Sequence, residues 1–261
     1  MASTNASLVG RMTKDRMGMM PLDVPLYPDP PYHYRNTERL VFIYETDTEA
    51  ALDLLPDCLE LEVPAVAMMM FLWCPICTLG AYNEAFISVR ATFEGTPVEY
   101  VVWNLLTSDA AIAAGREIWG VPKKHCDTWI EKRPEGMVGI VERPKGIRIV
   151  EALVRPERVM PQDESKSFVD RSLVCVRTIP DPGGGEPLIQ LIDHFNPKTN
   201  NFKAGDDWAD NQLRGPGSVS FPARSGIDPW HRLPAIRMID AYYSGGHSSS
   251  DLPYGRVLKT Y

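Results

Sequence analysis

Asp127-Thr-Trp-Ile-Glu-Lys-Arg-Pro-Glu-Gly-Met-Val-Gly-Ile-Val-Glu-Arg-Pro-Lys-Gly-Ile-Arg-Ile-Val-Glu-Ala-Leu-Val154 decides the fold class. It reads as three strands, Asp127 to Lys132, Met137 to Arg143 and Ile147 to Val154. Pro134-Glu135-Gly136 and Pro144-Lys145-Gly146 are the turns between them. That spacing is a β-meander, and the pattern continues outward. Upstream, Arg39 to Tyr44, Val66 to Trp73, Ala85 to Phe93 and Val98 to Leu105 are rich in β-formers. Downstream lie Ser172 to Ile179, Pro187 to His194, Ser218 to Ala223, Ile236 to Tyr243 and a final element from Leu252 to Tyr261. Two short helices interrupt the strands. Asp47 to Leu55 has Thr46 or Thr48 as its cap and Pro56 as its stop; Ser108 to Ala114 has Ser108 or Asp109 as its cap. Asn196 to Asp210 reads as a surface loop, and Ser244 to Ser250 is flexible in composition. Roughly a dozen strands with tight turns make a mainly β fold, predominantly antiparallel, curved or closed to protect its edges. Residues 1–30 are broken by prolines and read as an extended arm. Residues 31–261 show no repeat or linker and read as a single β domain.

Composition narrows the function. The 261 residues are 44% hydrophobic and 23% charged, with a net charge of −7. That balance is ordinary for a soluble protein and argues against a nucleic-acid partner, which needs clustered cations. No apolar run reaches the roughly 18 residues of a membrane span. Arg11, Lys14, Asp15 and Arg16 interrupt any signal-like core near the N-terminus, so the expected setting is cytoplasmic. Five cysteines then read as reduced thiols. Cys74-Pro-Ile-Cys77 has redox or zinc spacing, but no second ligand pair completes a zinc site. Its thiols are read as structural. Asp181-Pro-Gly-Gly-Gly185 is a hairpin turn, because it lacks the ending and the helix of a phosphate loop.

Chemistry concentrates immediately upstream of the meander, in Gly115-Arg-Glu-Ile-Trp-Gly-Val-Pro-Lys-Lys-His125. Lysine is among the residues least often buried. Here two follow an apolar, strand-like run of Ile118, Trp119 and Val121. A lysine desolvated among such neighbours sheds its proton more readily, and the free amine attacks carbonyls to form Schiff bases. Successive side chains on an extended segment point to opposite faces. Lys124 is therefore expected to face away from Lys123.

The pattern Gly115-Arg116-Glu117, the four residues Ile118 to Val121, then Pro122-Lys123-Lys124 resembles the signature of the acetoacetate decarboxylase-like proteins. Weaker matches follow in the family's order: Pro31-Tyr32, Tyr44-x-Thr46-Asp47, Ala111 to Glu117, Ile179-Pro180 and Leu233-Pro234. The resemblance covers roughly residues 22 to 261 and marks a diverged member. It implies a curved antiparallel β-barrel with a few short flanking helices and a buried site. It further implies that Lys123 is the Schiff-base nucleophile and Lys124 its neighbour. Glu84 stands where the family has a pocket glutamate, and a carboxylate there serves the iminium or shuttles protons. Two departures stand out. An ungapped alignment puts Met69 at a second pocket glutamate and Thr37 at a pocket arginine. Arg35 and Arg39 flank Thr37 at two residues on either side. On one strand they share its face, so either guanidinium is a candidate to hold a substrate carboxylate. Arg116 and Glu117 read as loop supports. His125 is set aside as a base because it is the backbone neighbour of the lysines, and His194 because it lies in no triad or metal spacing.

The expectation is a lyase that decarboxylates a β-keto acid larger or more apolar than acetoacetate through a Schiff base on Lys123. It needs no cofactor and no metal. An alternative keeps the Schiff base but runs aldol, dehydration or cyclisation chemistry on a keto intermediate. A second alternative is a non-catalytic small-molecule-binding protein of the same fold. The expected partners are the keto substrate and further copies of the chain, because the arm cannot fold alone and the family forms closed homo-oligomers.

Overall fold

One long curved sheet organises the molecule, and the alternation of its side chains explains why. In the computed structural model, which describes residues 9–14, 25–160 and 171–261, its path runs from Arg158–Val159 through Gln212–Arg214, Arg237–Ser244, Glu38–Glu45 and Val66–Cys74. It continues through Tyr82–Phe93, Thr96–Leu106, Ser172–Ile179 and Leu188–Phe195 to Arg256–Thr260. Two short strands pair off this path: Glu60–Leu61 with Tyr82–Phe93, and Lys123–His125 with Thr96–Leu106. Strands Glu38–Glu45, Val66–Cys74 and Tyr82–Phe93 are in antiparallel register, with Met69 opposite both Phe42 and Ile87. Two pairings depart from the antiparallel plan. Both Ser172–Ile179 and Lys123–His125 run parallel to Thr96–Leu106.

Successive residues of these strands feed opposite faces. Leu40, Phe42, Tyr44, Ala67, Met69, Phe71, Ala85 and Ile87 form one core. The meander closes over that face: Asp127–Arg133, Gly136–Glu142 and Arg148–Val154, joined by Gly217–Ser220 at its edge, form a four-stranded sheet. It contributes Val141, Ile149, Val150, Ala152 and Val154 to the same core. Val41, Met68, Met70, Phe86, Val101 and Tyr242 face the other way, toward Trp119 and Val121. A third sheet lies beside this second face, in the order Lys203–Ala204, Ser248–Leu252, Tyr32–Arg35 and Ile76–Cys77.

The mainly β, curved architecture agrees with expectation. The barrel does not close: the long sheet keeps two separate ends. Details differ for local reasons. The first helix is Thr48–Leu52, and its cap is Asp47, whose carboxylate accepts from Ala50 N at 2.8 Å. Asp109–Ala114 is capped by Ser108 as read. The run before the lysines is no strand. It is a π-helical turn, Gly115–Trp119, closed by Gly120 in the left-handed region at φ 74°. Ser248–Leu252 is a strand although its serines carry no β-propensity, because its backbone is paired on both sides. Most of the 1–30 arm falls outside the described residues. Within 25–30, Tyr27 is buried and its hydroxyl donates to Glu117. Among the described residues no helix is long and apolar enough to cross a membrane.

Candidate active site

The site begins with a close approach. After helix Asp109–Ala114, the π-turn swings the chain so that strand Lys123–His125 pairs beside Asn104–Leu106. The side chain of Lys123 then lies across Gly115. A Cβ at Gly115 would come within 2.4 Å of Lys123 Cδ. Arg116 donates from Nη1 to the Lys123 carbonyl at 3.1 Å. The Gly-Arg-Glu segment is thus the seat of the lysine, with Arg116 and Glu117 acting as supports.

Lys123 projects into a cavity of about 230 Å³. Its Nζ lies 3.4 Å from Glu84 Oε1, and the two side chains are only 11% and 10% exposed. Asn104 Nδ2 donates to the same carboxylate oxygen at 2.5 Å. The ring of Tyr82, two residues before Glu84 and therefore on its face, has its centroid 6.0 Å from Nζ. Tyr82 and Tyr34 share a hydroxyl contact at 3.1 Å. Burial raises both phenols well above the ordinary tyrosine range, so both stay protonated.

Lys124 points the other way. Its Nζ donates to Asp228 Oδ1 at 2.9 Å and to the Ile227 carbonyl at 2.7 Å. Asp228 is buried and also accepts from Arg143 Nε at 2.7 Å. His125 is exposed.

Of the expected binding residues, Thr37 and Arg39 line the cavity. Arg35 does not. It is exposed, lies 3.8 Å from Asp251 and donates to the Tyr34 carbonyl at 2.7 Å. The premise of one continuous strand fails at Asn36, whose φ of 56° breaks the extended backbone. Arg35 therefore belongs to Tyr32–Arg35 and Arg39 to Glu38–Glu45. Met69 is also misplaced by the reading. It is fully buried in the core between the two larger sheets, while Met68 and Met70 line the cavity. A step of one residue on a strand changes the face.

The cavity holds two polar groups of special character. The Arg39 guanidinium makes no ion pair or hydrogen bond among the described residues, and burial lowers its affinity for its proton. A sequestered cation without a counter-ion favours an anionic ligand. His194 also lines the cavity. Its ring is pushed down to about 3 by burial and by the Lys123 charge, so it is neutral at physiological pH. No spacing in the sequence singles it out; it reaches the site because Leu188–Phe195 pairs with Ser172–Ile179, itself beside Thr96–Leu106. Cys74 is in the wall with its thiol pushed up to about 12 by burial, and Cys77 shifts in the same direction. Protonated thiols are poor nucleophiles and poor metal ligands. Among the described residues no group of three His, Cys, Asp or Glu side chains converges as a metal site would require.

The family model described as acetoacetate decarboxylase matches residues 19–261. "Acetoacetate decarboxylase 2" of Mesorhizobium japonicum is 28% identical over 246 residues, covering 93% of this chain and 88% of that protein. The crystal structure of acetoacetate decarboxylase from Legionella pneumophila superposes with a TM-score of 0.83 at 24% identity, over 97% of this chain and 99% of that one. The enduracididine biosynthesis enzyme MppR superposes with a TM-score of 0.69 at 19% identity, over 98% of both chains. That structure is a complex with the condensation product of pyruvate and imidazole 4-carboxaldehyde.

Proposed function

The chain belongs to the acetoacetate decarboxylase family, and on that premise we propose that it is a Schiff-base lyase that decarboxylates a β-keto acid larger or more apolar than acetoacetate. The observation that carries the reading is the enclosure of Lys123, Glu84 and the unpartnered Arg39 in one cavity. Glu84 takes the proton that Lys123 must shed. Nζ attacks the ketone carbon, and loss of water from the carbinolamine gives the iminium. The bond to the carboxyl carbon breaks, CO₂ leaves, and its electron pair moves to the iminium to give the enamine. Protonation of the enamine carbon and hydrolysis return ketone and lysine. Arg39 holds the carboxylate during binding. Met68, Met70, Val41 and Phe86 offer apolar wall to a longer substrate, worth roughly 25 cal/mol per Å² buried.

A second reading keeps the same iminium and uses the enamine for carbon–carbon condensation. The apolar wall suits a bulky acceptor, and the MppR complex with a condensation product supports the compatibility of this fold with such a ligand. A cytoplasmic setting accords with the five free cysteines, and a homo-oligomer gives the arm a surface to pack on.

Borohydride trapping with a panel of β-keto acids, followed by peptide mass mapping, tests the proposal. An adduct on Lys123 with release of CO₂ supports decarboxylation. An adduct with a condensed product and no CO₂ supports the second reading. Arg39→Met should raise KM by about 10-fold or more. No adduct with any compound rejects Schiff-base chemistry and leaves a binding protein.

A further inference from the structure

His194 is a polar group of the cavity that this chemistry does not use. Its Nδ1 lies 3.1 Å from the Leu173 carbonyl. A carbonyl only accepts, so Nδ1 carries the proton and donates. Cys175 Sγ is a further, weak contact of the same nitrogen at 3.6 Å. With Nδ1 protonated and the ring neutral, Nε2 has a free lone pair. It makes no hydrogen bond among the described residues. Trp119 is its aromatic neighbour, with ring centroids 6.3 Å apart and an indole N–H that makes no hydrogen bond among the described residues, and Leu173, Phe195 and Val121 also line the cavity. Tyr82 and Tyr34, two hydroxyls of the cavity, share a contact with each other at 3.1 Å. A ligand that presents only hydrocarbon to this wall buries an acceptor without a donor. A ligand that presents a hydroxyl or N–H satisfies it.

We propose that His194 is a specificity-determining residue whose Nε2 accepts a hydrogen bond from the substrate, so that the preferred keto acid carries a hydroxyl or N–H donor on its chain. The inference rests on the Schiff-base reading above. Within it, Arg39 takes the carboxylate, Lys123 the ketone and His194 the donor, three points that fix a substrate in one orientation. The ring is a poor base because its proton affinity is so low, and its part is recognition.

The experiment compares 3-oxohexanoate with its 4-, 5- and 6-hydroxy derivatives. The wild-type chain and His194→Phe and His194→Gln are each assayed for kcat/KM and for borohydride adducts on Lys123. At least one hydroxy compound should exceed 3-oxohexanoate by about 10- to 100-fold in the wild type. His194→Phe should erase that preference while still forming the adduct with 3-oxohexanoate. His194→Gln, which offers an amide oxygen, should retain part of it. Equal rates for hydroxy and unsubstituted acids in the wild type overturn the inference, as does a preference that survives in His194→Phe. If His194→Phe does not fold, the wild-type comparison and His194→Gln decide. Failure of every compound to form an adduct with the wild type rejects the Schiff-base reading and this inference together. Adducts formed without discrimination reject this inference alone.

Discussion

Gly115 and Lys123 occupy what is nearly a single volume: a Cβ on the glycine would sit 2.4 Å from Cδ and 2.8 Å from Cε of the lysine. The amine reaches Glu84 only because the residue eight positions earlier has no side chain. Gly115→Ala should displace the amine from Glu84 and lower kcat/KM by about 100-fold, since an ångström-scale misplacement has that effect. The glycine's own φ of −61° suits alanine, so the melting transition should stay cooperative. An alanine variant with wild-type kcat/KM would show that the lysine does not need this seat.

Lys124 and Asp228 give a contrasting case. Asp228 is 2% exposed in its side chain and serves both Lys124 and Arg143. Asp228→Asn should cost about 3 kcal/mol in denaturant unfolding, because two cations lose their counter-charge. Lys124→Met leaves Arg143 in place and should cost about 1 kcal/mol. Neither change should prevent adduct formation on Lys123. Loss of the adduct in Lys124→Met would contradict the opposed faces of the pair.

Met69 and Met70 differ by one position and serve different cores. Met69→Ala should destabilise the chain by about 2–5 kcal/mol through a void between the sheets, with substrate preference unchanged. Met70→Ala borders the cavity, so it should cost less stability and shift the ranking of keto acids toward bulkier ones. Denaturation midpoints and kcat/KM ratios on the same preparations separate the two. A change of substrate ranking in Met69→Ala alone would reverse the assignment of faces.

His194 ties stability to acidity. Its folded value lies near 3, against about 6.5 for a free histidine. Below about 6.5 the unfolded chain binds a proton that the folded chain does not, so stability is lost as pH falls from there toward 3. The contribution is fully present above that window. The unfolding free energy of the wild type should fall more steeply across it than that of His194→Phe, by up to about 1.4 kcal/mol per pH unit for one proton. Parallel pH dependences of the two proteins would place the ring in water.

The strands were legible wherever alternation ran unbroken. Ser172–Ile179 begins and ends where the pattern does, and Val66–Cys74 and Asp127–Arg133 extend it by one residue. The opposed lysines followed from the same alternation. Legibility failed where one backbone angle reset the phase. Asn36 put Arg35 and Arg39 on different strands, and no side-chain pattern announces a left-handed asparagine. It failed for the π-turn, because Ile118 and Trp119 look alike in a strand and in a tight helix. Met69 was assigned by position in an alignment, and a facing error of one residue cannot be seen without the register. His194 was out of reach, since its site membership depends on a parallel pairing between segments about 75 residues apart, Val98 to Tyr100 with Ser172 to Val174.

The long sheet separates upkeep from chemistry by parity. Along Glu38–Glu45, Val66–Cys74 and Tyr82–Phe93, one set of alternate residues holds the sandwich together and the other shapes the chamber around Lys123. The chamber can therefore be recut in steps of two, through Val41, Met68, Met70 and Phe86, while Phe42, Met69, Phe71 and Ile87 remain as they are. A scaffold wired in this way lets one lysine be offered to many different carbonyl compounds without renegotiating the fold each time.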